Sequence, residues 1–538
     1  MSDLEIWQQG RRITPDKIEC ARQVLVDIQD GLDAFQAIRR HPLPEGGYVA
    51  KHVLVALYRQ LVDEGELEET PELLARIRMK PMRTLSGVTT VTVLTGPHPC
   101  PGDCVFCPTD ERMPKSYLVD EPGAARAFQN QFDAHKQVAS RLEAYRAVGH
   151  PTDKIELLIL GGTWTSYPHD YQQEFIKRCF DAMNESESPD LATAQRRNED
   201  SPHRNVGLVI ETRPDEINPA QLAWLRQLGV TKVQIGAQSL DDRILRLNRR
   251  GHSAAQTAEA AALLRAAGFK IVVHWMPNLL GATPASDRVD FTHLWEGINP
   301  DEIKIYPTQL LENTALFKFW KKGKYQPYTT EDLIQLVADV KTTIPPYCRV
   351  NRVIRDISSE HVVAGNRRTS LRQDALNELA KRGQVCRCVR CREVRGEQVK
   401  LSDLRLDDLR YASSFAEDHF LSFLTPEERI AGYLRLSLPQ RTPGQSFPPG
   451  LPGELFPDLK DAALIREVHV FGQALAVGAE QSGATQHSGL GTRLLKEAES
   501  IARQAGYRRL AVIAAIGTRL YYQSRGFTRG ELYMVKEL

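Results

Sequence analysis

Between residues 88 and 308, short runs rich in aliphatic and β-branched residues alternate with helical stretches. The six runs are VTTVTVLT, IELLIL, VGLVIET, TKVQIG, KIVVHWM and EIKIYP. Strands that alternate with helices pair in parallel, because each helix returns the chain to the same end of the sheet. Six units favour a partial (β/α)6 barrel over a full eight-unit one. We therefore predict an α/β fold whose active site lies at the carboxyl ends of the barrel strands.

The chain has 538 residues, which is longer than one hydrophobic core usually organises, so we expect several domains. Helical periodicity without strand signals predicts an N-terminal helical region at residues 1–80, and the barrel then spans 81–345. Residues 346–400 are expected to form a basic, cysteine-containing connector. In residues 401–538, strand-like runs flank a glycine loop and two helices, which predicts a separate C-terminal α/β domain.

The sequence shows neither a membrane span nor a signal peptide. No apolar run approaches the roughly 20 residues that a spanning helix needs, and the amino-terminal MSDLEIWQQGRR lacks an apolar core. We therefore expect a cytoplasmic protein without membrane contact. Disulfides are uncommon in that compartment, so two tight groups among the nine cysteines suggest metal ligation instead.

Cys100, Cys104 and Cys107 directly follow the first predicted strand, in a loop that opens with Gly96 and Pro97. Three thiolates can hold a 4Fe-4S cluster and leave one iron free to chelate S-adenosylmethionine. The Cys-x3-Cys-x2-Cys spacing and its place after the first barrel strand resemble the signature of the radical S-adenosylmethionine superfamily. A zinc site is the weaker alternative, since no fourth ligand stands at the usual spacing.

Residues at the ends of later strands are candidates for binding S-adenosylmethionine. Glycines after the second strand let the backbone approach the methionine amino group, although a simple turn is the alternative. These residues are Gly161, Gly162 and Thr163. Polar side chains after the third and fourth strands suit ribose or carboxylate, with ion pairing at the barrel mouth as their alternative role. These residues are Glu211, Arg213 and Gln238.

A glycine loop opens the helix near residue 490. Free backbone N–H groups and the helix dipole at such a start bind pyrophosphate, which coenzyme A carries. The loop resembles the Q-x-x-G-x-G motif of GNAT acetyltransferases, and a strand before it and a helix after it supply the expected context. A turn without a ligand is the alternative. The candidate acetyl-CoA residues are Gln486, Gly489, Leu490, Gly491 and Thr492.

The connector contains a second cysteine group, Cys386, Cys388 and Cys391. Three thiols at this spacing suit Zn²⁺, with a fourth ligand from Cys348 or His361. Reduced cysteines without a metal are the alternative. A closed zinc site here would serve a structural role, separate from the cluster at the barrel mouth.

The connector is also strongly basic. Residues 349–400 contain 13 Lys and Arg against 6 Asp and Glu. Such an excess attracts a polyanion, so we predict that tRNA phosphates bind there, and a solvated helix face is the alternative. The candidate contacts are Arg367, Arg368, Arg390 and Arg392.

Segments along most of the chain resemble the catalytic subunit of Elongator. In the barrel these are KPMRTLSGVTTVTVLTGPHPCPGDCVFCP, LGGTWTSYP, IETRPDEI, QIGAQSLDD, NRRGHS, VVHWMPNLLG and IKIYPTQL. In the last domain, AALIREVHVFG, QHSGLGTRLLKEAE and GTRLYYQSRGF are similar to the family's GNAT-like half. The resemblance implies a tRNA uridine(34) acetyltransferase that uses acetyl-CoA and S-adenosylmethionine on the anticodon stem-loop. We expect a prokaryotic, single-chain member that needs no accessory subunits, and its oligomeric state stays open.

The resemblance also assigns roles to residues outside the motifs. Tyr522 is a catalytic candidate that contacts acetyl-CoA beside Tyr521, although paired tyrosines are often core residues. Lys154 would bring part of the thioester ligand to the interface between the halves, whereas from sequence alone it is expected in an exposed loop. The N-terminal helical region is a further candidate tRNA contact. The strand edge expected to pair with the pantetheine amides comprises Glu467, Val468, His469 and Val470.

The implied chemistry starts with a 5'-deoxyadenosyl radical that removes hydrogen from the acetyl methyl group of acetyl-CoA. The resulting carbon radical would add to carbon 5 of the wobble uridine, and thioester hydrolysis would leave 5-carboxymethyluridine. The base must be unstacked to be reached, which favours a single-stranded loop. Two alternatives are a protein lysine acetyltransferase with a scaffold barrel and a non-catalytic tRNA-binding protein that senses acetyl-CoA.

Overall fold

The computed structural model describes residues 14–81, 84–395, 399–440, 447–471 and 489–538. Two seven-stranded sheets form its core, one wholly parallel and one mixed. The α/β class, the partial barrel, the N-terminal helices and the C-terminal sheet domain are confirmed. No helix in these residues combines the length and the apolar character needed to cross a membrane.

The described part of the chain begins with four helices that share a hydrophobic core of their own. They are α1 (Pro15–Gln29), α2 (Ala34–Arg40), α3 (Lys51–Asp63) and α4 (Pro71–Ile77). Pro15 and Pro71 stand in the first turns of their helices, where a missing N–H breaks no helical hydrogen bond. Leu25, Leu54 and Tyr58 are buried at helical spacing and form the centre of this core.

The first sheet is an open half-barrel in which neighbouring strands follow one another along the chain. Its strands are β1 (Thr89–Leu94), β2 (Lys154–Leu160), β3 (Arg204–Thr212), β4 (Lys232–Gln238), β5 (Lys270–Trp275), β6 (Glu302–Ile305) and β8 (Arg349–Val353). The seventh strand, β8, was not predicted, and it carries the sheet past residue 345. Its sequence RVNRV contains polar residues because Arg349, Asn351 and Arg352 line the cavity inside the half-barrel. Between β6 and β8, β7 (Leu310–Leu311) pairs antiparallel with β9 (Val362–Ala364).

Helices alternate with the strands of this sheet, and its inner face lines a cavity. They are α5 (Pro122–Gln129), α6 (Ala134–Ala147), α7 (His169–Asn184), α8 (Leu191–Asn198), α9 (Pro219–Gln227), α10 (Asp242–Leu247), α11 (Ala254–Ala266), α12 (Pro284–Thr292), α13 (Ala315–Lys321), α14 (Thr330–Thr342), α15 (Leu371–Lys381) and α16 (Val389–Arg392). Capping boxes begin α11 at Ser253 and α14 at Thr329, which satisfies their first N–H groups.

The C-terminal domain is a mixed sheet with two helices, α17 (Leu490–Gln504) and α18 (Arg519–Gln523). Its strands, in the order β10-β11-β12-β13-β14-β16-β15, are β10 (Arg405–Ala412), β11 (Ala416–Leu424), β12 (Ile430–Pro439), β13 (Ala462–Val470), β14 (Arg509–Val512), β15 (Thr528–Arg529) and β16 (Met534–Glu537). β13 and β14 are parallel and pair only over Ala462–Ile465. The second half of β13 therefore diverges from β14.

The C-terminal sheet packs against the amino ends of the barrel strands. The turn Ile516–Thr518 lies on the start of β3, and a Cβ on Gly517 would come within 2.9 Å of the Asn205 backbone. Asp301, just before β6, accepts bonds from both terminal nitrogens of Arg466 at 2.6 and 2.9 Å. One continuous core spans both sheets, so the half-barrel is closed at this end.

Candidate active site along the barrel cavity

The three cysteines after β1 lie at the carboxyl end of the strands, as predicted. Their loop is held in place because Val105 N–H donates to the Asn248 carbonyl at 3.2 Å. The sulfur atoms of Cys100, Cys104 and Cys107 do not all lie within 4.8 Å of one another, as the ligands of one ion would. In a cluster each cysteine binds a different iron, so the wider spacing fits a 4Fe-4S cluster better than a single metal ion.

Hydrogen-bond donors surround these sulfurs. The Gly102 N–H donates to Cys100 Sγ at 3.4 Å, and Arg250 Nη1 donates to Cys104 Sγ at 3.3 Å. Burial raises the pKa of Cys107 to about 11, so this thiol needs a bound cation to ionise near neutral pH. Donors that stabilise thiolates and a buried sulfur that requires a cation both fit a metal cluster.

Several buried polar atoms beside the cysteine loop have no hydrogen-bond partner among the described residues. They are Arg213 Nη1, Gln238 Oε1 and both ring nitrogens of His252. Arg213 is otherwise fixed, because its Nη2 donates to Asp215 at 2.8 Å and to the Arg250 carbonyl at 2.9 Å. Unpaired buried groups are costly, so this cluster fits a polar ligand such as the carboxylate and ribose of S-adenosylmethionine.

Burial lowers the pKa of His252 to about 4, which leaves the ring neutral at pH 7. Sequence reasoning did not single out His252, although it stands in the NRRGHS segment. The available sequence signal for His252 was the glycine before it. Gly251 has a φ of +79° and lies against Arg213, a position that favours glycine.

The glycines after β2 are required by packing. Gly161 has a φ of +151°, and a Cβ there would overlap the Thr95 hydroxyl. Gly162, with a φ of +89°, lies against the Lys115 carbonyl. Thr163 is buried, and its hydroxyl oxygen lies 3.6 Å from Cys100 Sγ. The turn therefore brings the end of β2 to the cysteine loop, and its contact with the methionine amino group stays a prediction.

Glu211 forms no ion pair with any residue that the structure describes. Its carboxylate accepts a hydrogen bond from the Tyr117 hydroxyl at 2.9 Å and faces the cavity. Arg355 lies over the Tyr117 ring and donates to the Glu121 carboxylate at 2.7 Å. Tyr117 and Arg355 were not predicted, because no motif marks them and they reach the site from separate loops.

A cavity of about 660 Å³ runs through the half-barrel and joins the two predicted sites. Cys107, Glu211 and Gln238 line it at the carboxyl ends of the strands. Glu467, His469 and Tyr522 of the C-terminal domain also line it, at the amino ends. One continuous space thus contacts both the cysteine loop and the second domain.

Charged side chains form the floor of this cavity. Lys232 lies 2.5 Å from the Glu156 carboxylate and 3.4 Å from that of Glu302. Lys270 pairs with Glu302 at 3.4 Å and also with Glu467 of the other domain. Apart from Glu467, these residues were not predicted, because charged residues inside a β-rich run were read as part of the strand. The alternation of charged and apolar residues in KIELLIL and EIKI was the available signal.

The predicted coenzyme A residues that the structure describes in the glycine loop lie at the start of α17. Gly489 caps the helix with a φ of +74°, and Leu490 and Gly491 follow it in the first turn. A Cβ on Gly491 would lie 2.6 Å from the Tyr521 hydroxyl. Thr492 Oγ1 accepts from Arg525 Nε at 3.2 Å. Gln486 lies outside the described residues.

Among the described residues, the strand segment 467–470 is paired on one side only, as the pantetheine prediction requires. It pairs with β12 on one side, but β14 pairs with β13 only as far as Ile465. The side chains have other roles: Glu467 joins the charged floor, Val468 packs on the core, and His469 stacks on Tyr433. Val470 is paired with Gly432 of β12 in the register of the two strands.

Tyr521 and Tyr522 lie on α18 and point to different places. Tyr522 is buried, packs edge-on against Phe527 and lines the cavity. Tyr521 lies beneath the Arg525 guanidinium, 3.6 Å from its ring centre, beside Gly491. Burial raises the pKa of both hydroxyls, so both stay protonated near pH 7.

The expectation that Lys154 lies in an exposed loop is wrong. It is the first residue of β2, is 8% exposed, and stands beside Arg204 at the amino ends of the strands. Sequence reasoning placed it outside the strand because charged residues rarely begin a buried strand. Burial lowers its pKa. It lies on the side of the barrel that faces the C-terminal domain, although it is not among the residues that line the cavity.

The sulfurs of Cys386, Cys388 and Cys391 lie within 4.8 Å of one another, as the ligands of one ion do. Cys348 is buried, and its carbonyl accepts from the Val389 N–H at 2.9 Å. Cys348 lies near enough to Cys388 to feel its charge and is the nearer of the two candidates, although its sulfur is not within 4.8 Å of all three connector sulfurs.

The other candidate ligand, His361, pairs with a different residue, since its Nε2 lies 2.6 Å from Asp120 Oδ2.

The Lys341 ammonium has no hydrogen-bond partner among the described residues and lies near the three sulfurs of the connector. A nearby cation favours thiolates, which Zn²⁺ requires.

The four predicted tRNA-binding arginines do not form one cluster. Arg390 and Arg392 lie by the start of β8, where Arg392 Nη2 donates to the Pro346 carbonyl at 2.9 Å. Arg367 and Arg368 follow β9, beyond the other end of β8. Sequence proximity suggested one basic surface, but the strand direction separates the two pairs.

Comparison with known proteins agrees with this geometry. The family model of the Radical SAM superfamily matches residues 98–291, and that of the Radical_SAM C-terminal domain matches residues 300–381. The tRNA uridine(34) acetyltransferase of Dehalococcoides mccartyi is 42% identical over 85% of this chain and 99% of that protein. Elongator complex protein 3 of Homo sapiens is 34% identical over 87% of each.

A solved structure has a similar fold. That of the archaeal Methanocaldococcus infernus Elp3 with an N-terminal deletion superposes with a TM-score of 0.72 at 34% identity. It covers 84% of this chain and 99% of that chain.

Proposed function

The chain belongs to the family that includes the tRNA uridine(34) acetyltransferases and Elongator complex protein 3, and from this membership we propose that it modifies the wobble uridine of tRNA. The observation that supports this proposal most is the cavity of about 660 Å³ that contacts both the cysteine loop and the C-terminal domain. A substrate group bound in one domain can meet the reactive atoms of the other there.

The radical SAM domain implies a 4Fe-4S cluster and S-adenosylmethionine. When bound, this pair supplies a 5'-deoxyadenosyl radical. Cys100, Cys104 and Cys107 would hold the cluster. Arg213 and Gln238 would bind the polar groups of S-adenosylmethionine, because their free nitrogen and oxygen lack other partners.

Acetyl-CoA is proposed to bind on the C-terminal domain. The first turn of α17 offers N–H groups to the pyrophosphate, and the open edge of β13 offers backbone groups to the pantetheine amides. Tyr522 then faces the acetyl end within the cavity and remains a hydrogen-bond donor because its hydroxyl is protonated. Lys154, on the side of the barrel that faces the C-terminal domain, would hold another part of the ligand at the interface between the two halves.

The decisive experiment is an anaerobic assay of the purified chain alone, without accessory subunits. We expect 5'-deoxyadenosine and 5-carboxymethyluridine only when S-adenosylmethionine, acetyl-CoA and tRNA are all present. Acetylated lysine without 5'-deoxyadenosine would favour a protein acetyltransferase. RNA binding without either product would favour a non-catalytic sensor.

The cysteine variants test which site starts the chemistry. Cys104→Ala should remove bound iron and 5'-deoxyadenosine while leaving RNA binding intact, because the sulfur is a cluster ligand. Cys179→Ala is the matched control, since Cys179 is a buried thiol away from the loop. Full iron content in Cys104→Ala after anaerobic reconstitution would contradict the assignment.

The connector cysteines are proposed to hold one Zn²⁺ with Cys348 as the fourth ligand. Cys388→Ser should remove one equivalent of zinc in elemental analysis, and Cys348→Ser should weaken zinc retention against a chelator. His361→Ala should retain the zinc, because His361 pairs with Asp120. Equal zinc loss in His361→Ala and Cys348→Ser would refute this ligand set.

A further inference from the structure

Four lysines in and just after α13 are exposed and lack acidic neighbours. They are Lys318, Lys321, Lys322 and Lys324, and residues 315–325 contain no Asp or Glu. None of the four forms an ion pair with a carboxylate anywhere in the described ranges. Exposed lysines usually cost little when unpaired, but four in seven residues create a strong local positive potential.

The fold fixes these lysines beside the cysteine loop. The Leu316 N–H at the start of α13 donates to the Val105 carbonyl at 2.7 Å. Asn313 Nδ2 donates to the Thr109 carbonyl at 3.2 Å. Val105 and Leu316 share a small hydrophobic core with Tyr325, so both ends of the lysine segment are anchored.

The same face carries the first pair of predicted RNA-binding arginines. β7 precedes α13 and pairs with β9, after which Arg367 and Arg368 follow as exposed residues. Gly365 lies against Pro327, and the Thr330 hydroxyl donates to Asn366 at 3.1 Å. Arg367 and Arg368 therefore lie beside the segment that leaves α13. We call the four lysines and these two arginines the cationic rim.

The cationic rim stands at the entrance of the barrel cavity. Phe106, Cys107 and Pro108 of the cysteine loop line that cavity, as do Gln309 and Leu311 just before α13. A polyanion held on the rim would thus lie across the opening at the carboxyl ends of the strands. This end is the one that a tRNA base must enter to reach the cysteine loop.

We propose that the cationic rim binds the phosphate backbone of the tRNA anticodon arm and so places the wobble base over the cavity entrance. This inference rests on the proposed function. Lysines suit this role because a flexible point charge contacts phosphates without selecting a sequence. Arg390 and Arg392 lie at the amino ends of the strands. Of the candidate RNA-binding residues, only those of the cationic rim therefore lie at the cavity entrance, at the carboxyl ends.

The test compares two triple variants of the full chain. Lys318→Gln/Lys321→Gln/Lys322→Gln removes three rim charges, and Lys136→Gln/Lys460→Gln/Lys496→Gln removes three exposed charges elsewhere. Binding of an anticodon stem-loop RNA is measured by fluorescence anisotropy over a salt series. The rim variant should bind about tenfold or more weakly near 0.1 M salt, with a log–log salt slope shallower by about 2 to 3. The control should match the wild type.

The outcomes separate the rim from the proposed function. Iron content and S-adenosylmethionine binding should be unchanged in the rim variant, which excludes misfolding as the cause. A wild-type chain that modifies tRNA, together with a rim variant of unchanged affinity and slope, would overturn the rim alone. A wild-type chain that binds no RNA would overturn both. Equal losses in the rim and control variants would reduce the effect to net charge and also overturn the rim.

Discussion

At the scale of single residues, the cysteine loop is surrounded by groups that are fixed but not fully hydrogen-bonded. Arg213 shows this most clearly. Its Nε and Nη2 are held by Asp215 and the Arg250 carbonyl, while Nη1 has no partner among the described residues. A guanidinium anchored on one side and free on the other is preorganised for a carboxylate.

We predict that Arg213→Lys weakens S-adenosylmethionine binding by about tenfold or more, since a charge-assisted hydrogen bond contributes ~1.5–3 kcal/mol. Lysine keeps the charge but lacks the planar fork whose nitrogens reach Asp215, the Arg250 carbonyl and a ligand in different directions. Equilibrium dialysis of the reconstituted protein would measure the change, with iron content as the check on cluster assembly. Arg249→Lys, at an exposed arginine paired with Asp103, is the control and should bind normally.

Asp287 gives a pH-dependent prediction. Burial raises its pKa to about 7, while it accepts from the Asn278 N–H and the Tyr328 hydroxyl, both at 2.8 Å. An unfolded aspartate has a pKa near ~3.9. Between about pH 4 and 7 the folded chain keeps a proton that the unfolded chain releases. Its contribution to stability therefore falls as the pH rises, by up to ~1.4 kcal/mol per pH unit.

Asp287→Asn should lose this contribution, because asparagine does not titrate. Thermal unfolding at pH 5 and pH 7 would show a smaller fall in Tm for the variant than for the wild type. Parallel pH profiles for the two proteins would show that Asp287 titrates at its ordinary value in the folded state.

At the scale of elements, α17 and α18 constrain each other through one glycine. Gly491 stands in the first turn of α17, and a Cβ there would lie 2.6 Å from the Tyr521 hydroxyl of α18. The helix start that is proposed to bind pyrophosphate therefore depends on the absence of a side chain at this position.

We predict that Gly491→Ala lowers acetyl-CoA affinity several-fold by displacing Tyr521 or tilting α17, and that Tyr521→Phe restores part of it by removing the hydroxyl. Isothermal titration calorimetry of both single variants and the double variant gives the coupling. Independent, additive losses would show that the two positions do not meet. The control is Ala505→Gly, at the other end of α17, because the neighbouring Gly506 has a φ of +78° that an alanine would strain.

At the scale of the whole molecule, the two sheets are joined by buried charges. Asp301 precedes β6 of the barrel and is surrounded by Arg466 and Arg435 of the C-terminal sheet and by Arg265 of α11. Burial opposes ionisation, but these guanidinium groups, Arg466 first, hold the pKa of Asp301 well below its usual range. The carboxylate thus links both domains at any physiological pH.

Asp301→Asn should destabilise the protein by ~3–5 kcal/mol, because it removes a carboxylate that three buried arginines share and leaves only Asp418 and Glu467 to compensate them. Chemical denaturation is expected to show the loss, together with separate transitions for the two sheets if the link is broken. Asp200→Asn, at an exposed carboxylate, should leave the curve unchanged. A shift below ~1 kcal/mol in Asp301→Asn would show that the link contributes little to stability.

The sequence by itself determined the strand order of the barrel, the position of the cysteine loop and the family. Local alternation of apolar residues predicts strands, and motifs such as Cys-x3-Cys-x2-Cys are contiguous in the chain. Six of the seven parallel strands were predicted for this reason. The seventh, β8, was missed because its polar residues face a cavity, which an apolar pattern does not reveal.

Only the tertiary structure decided which distant residues meet. The charged cavity floor, the unpaired nitrogen of Arg213, the burial of Lys154 and the separation of Arg367 from Arg390 all depend on strand direction and domain packing. Lys318 and Arg367 lie 49 residues apart in the chain, yet the β7–β9 pairing brings their segments to one face. Side-chain proximity across elements is set by packing, so the local pattern of the sequence cannot specify it.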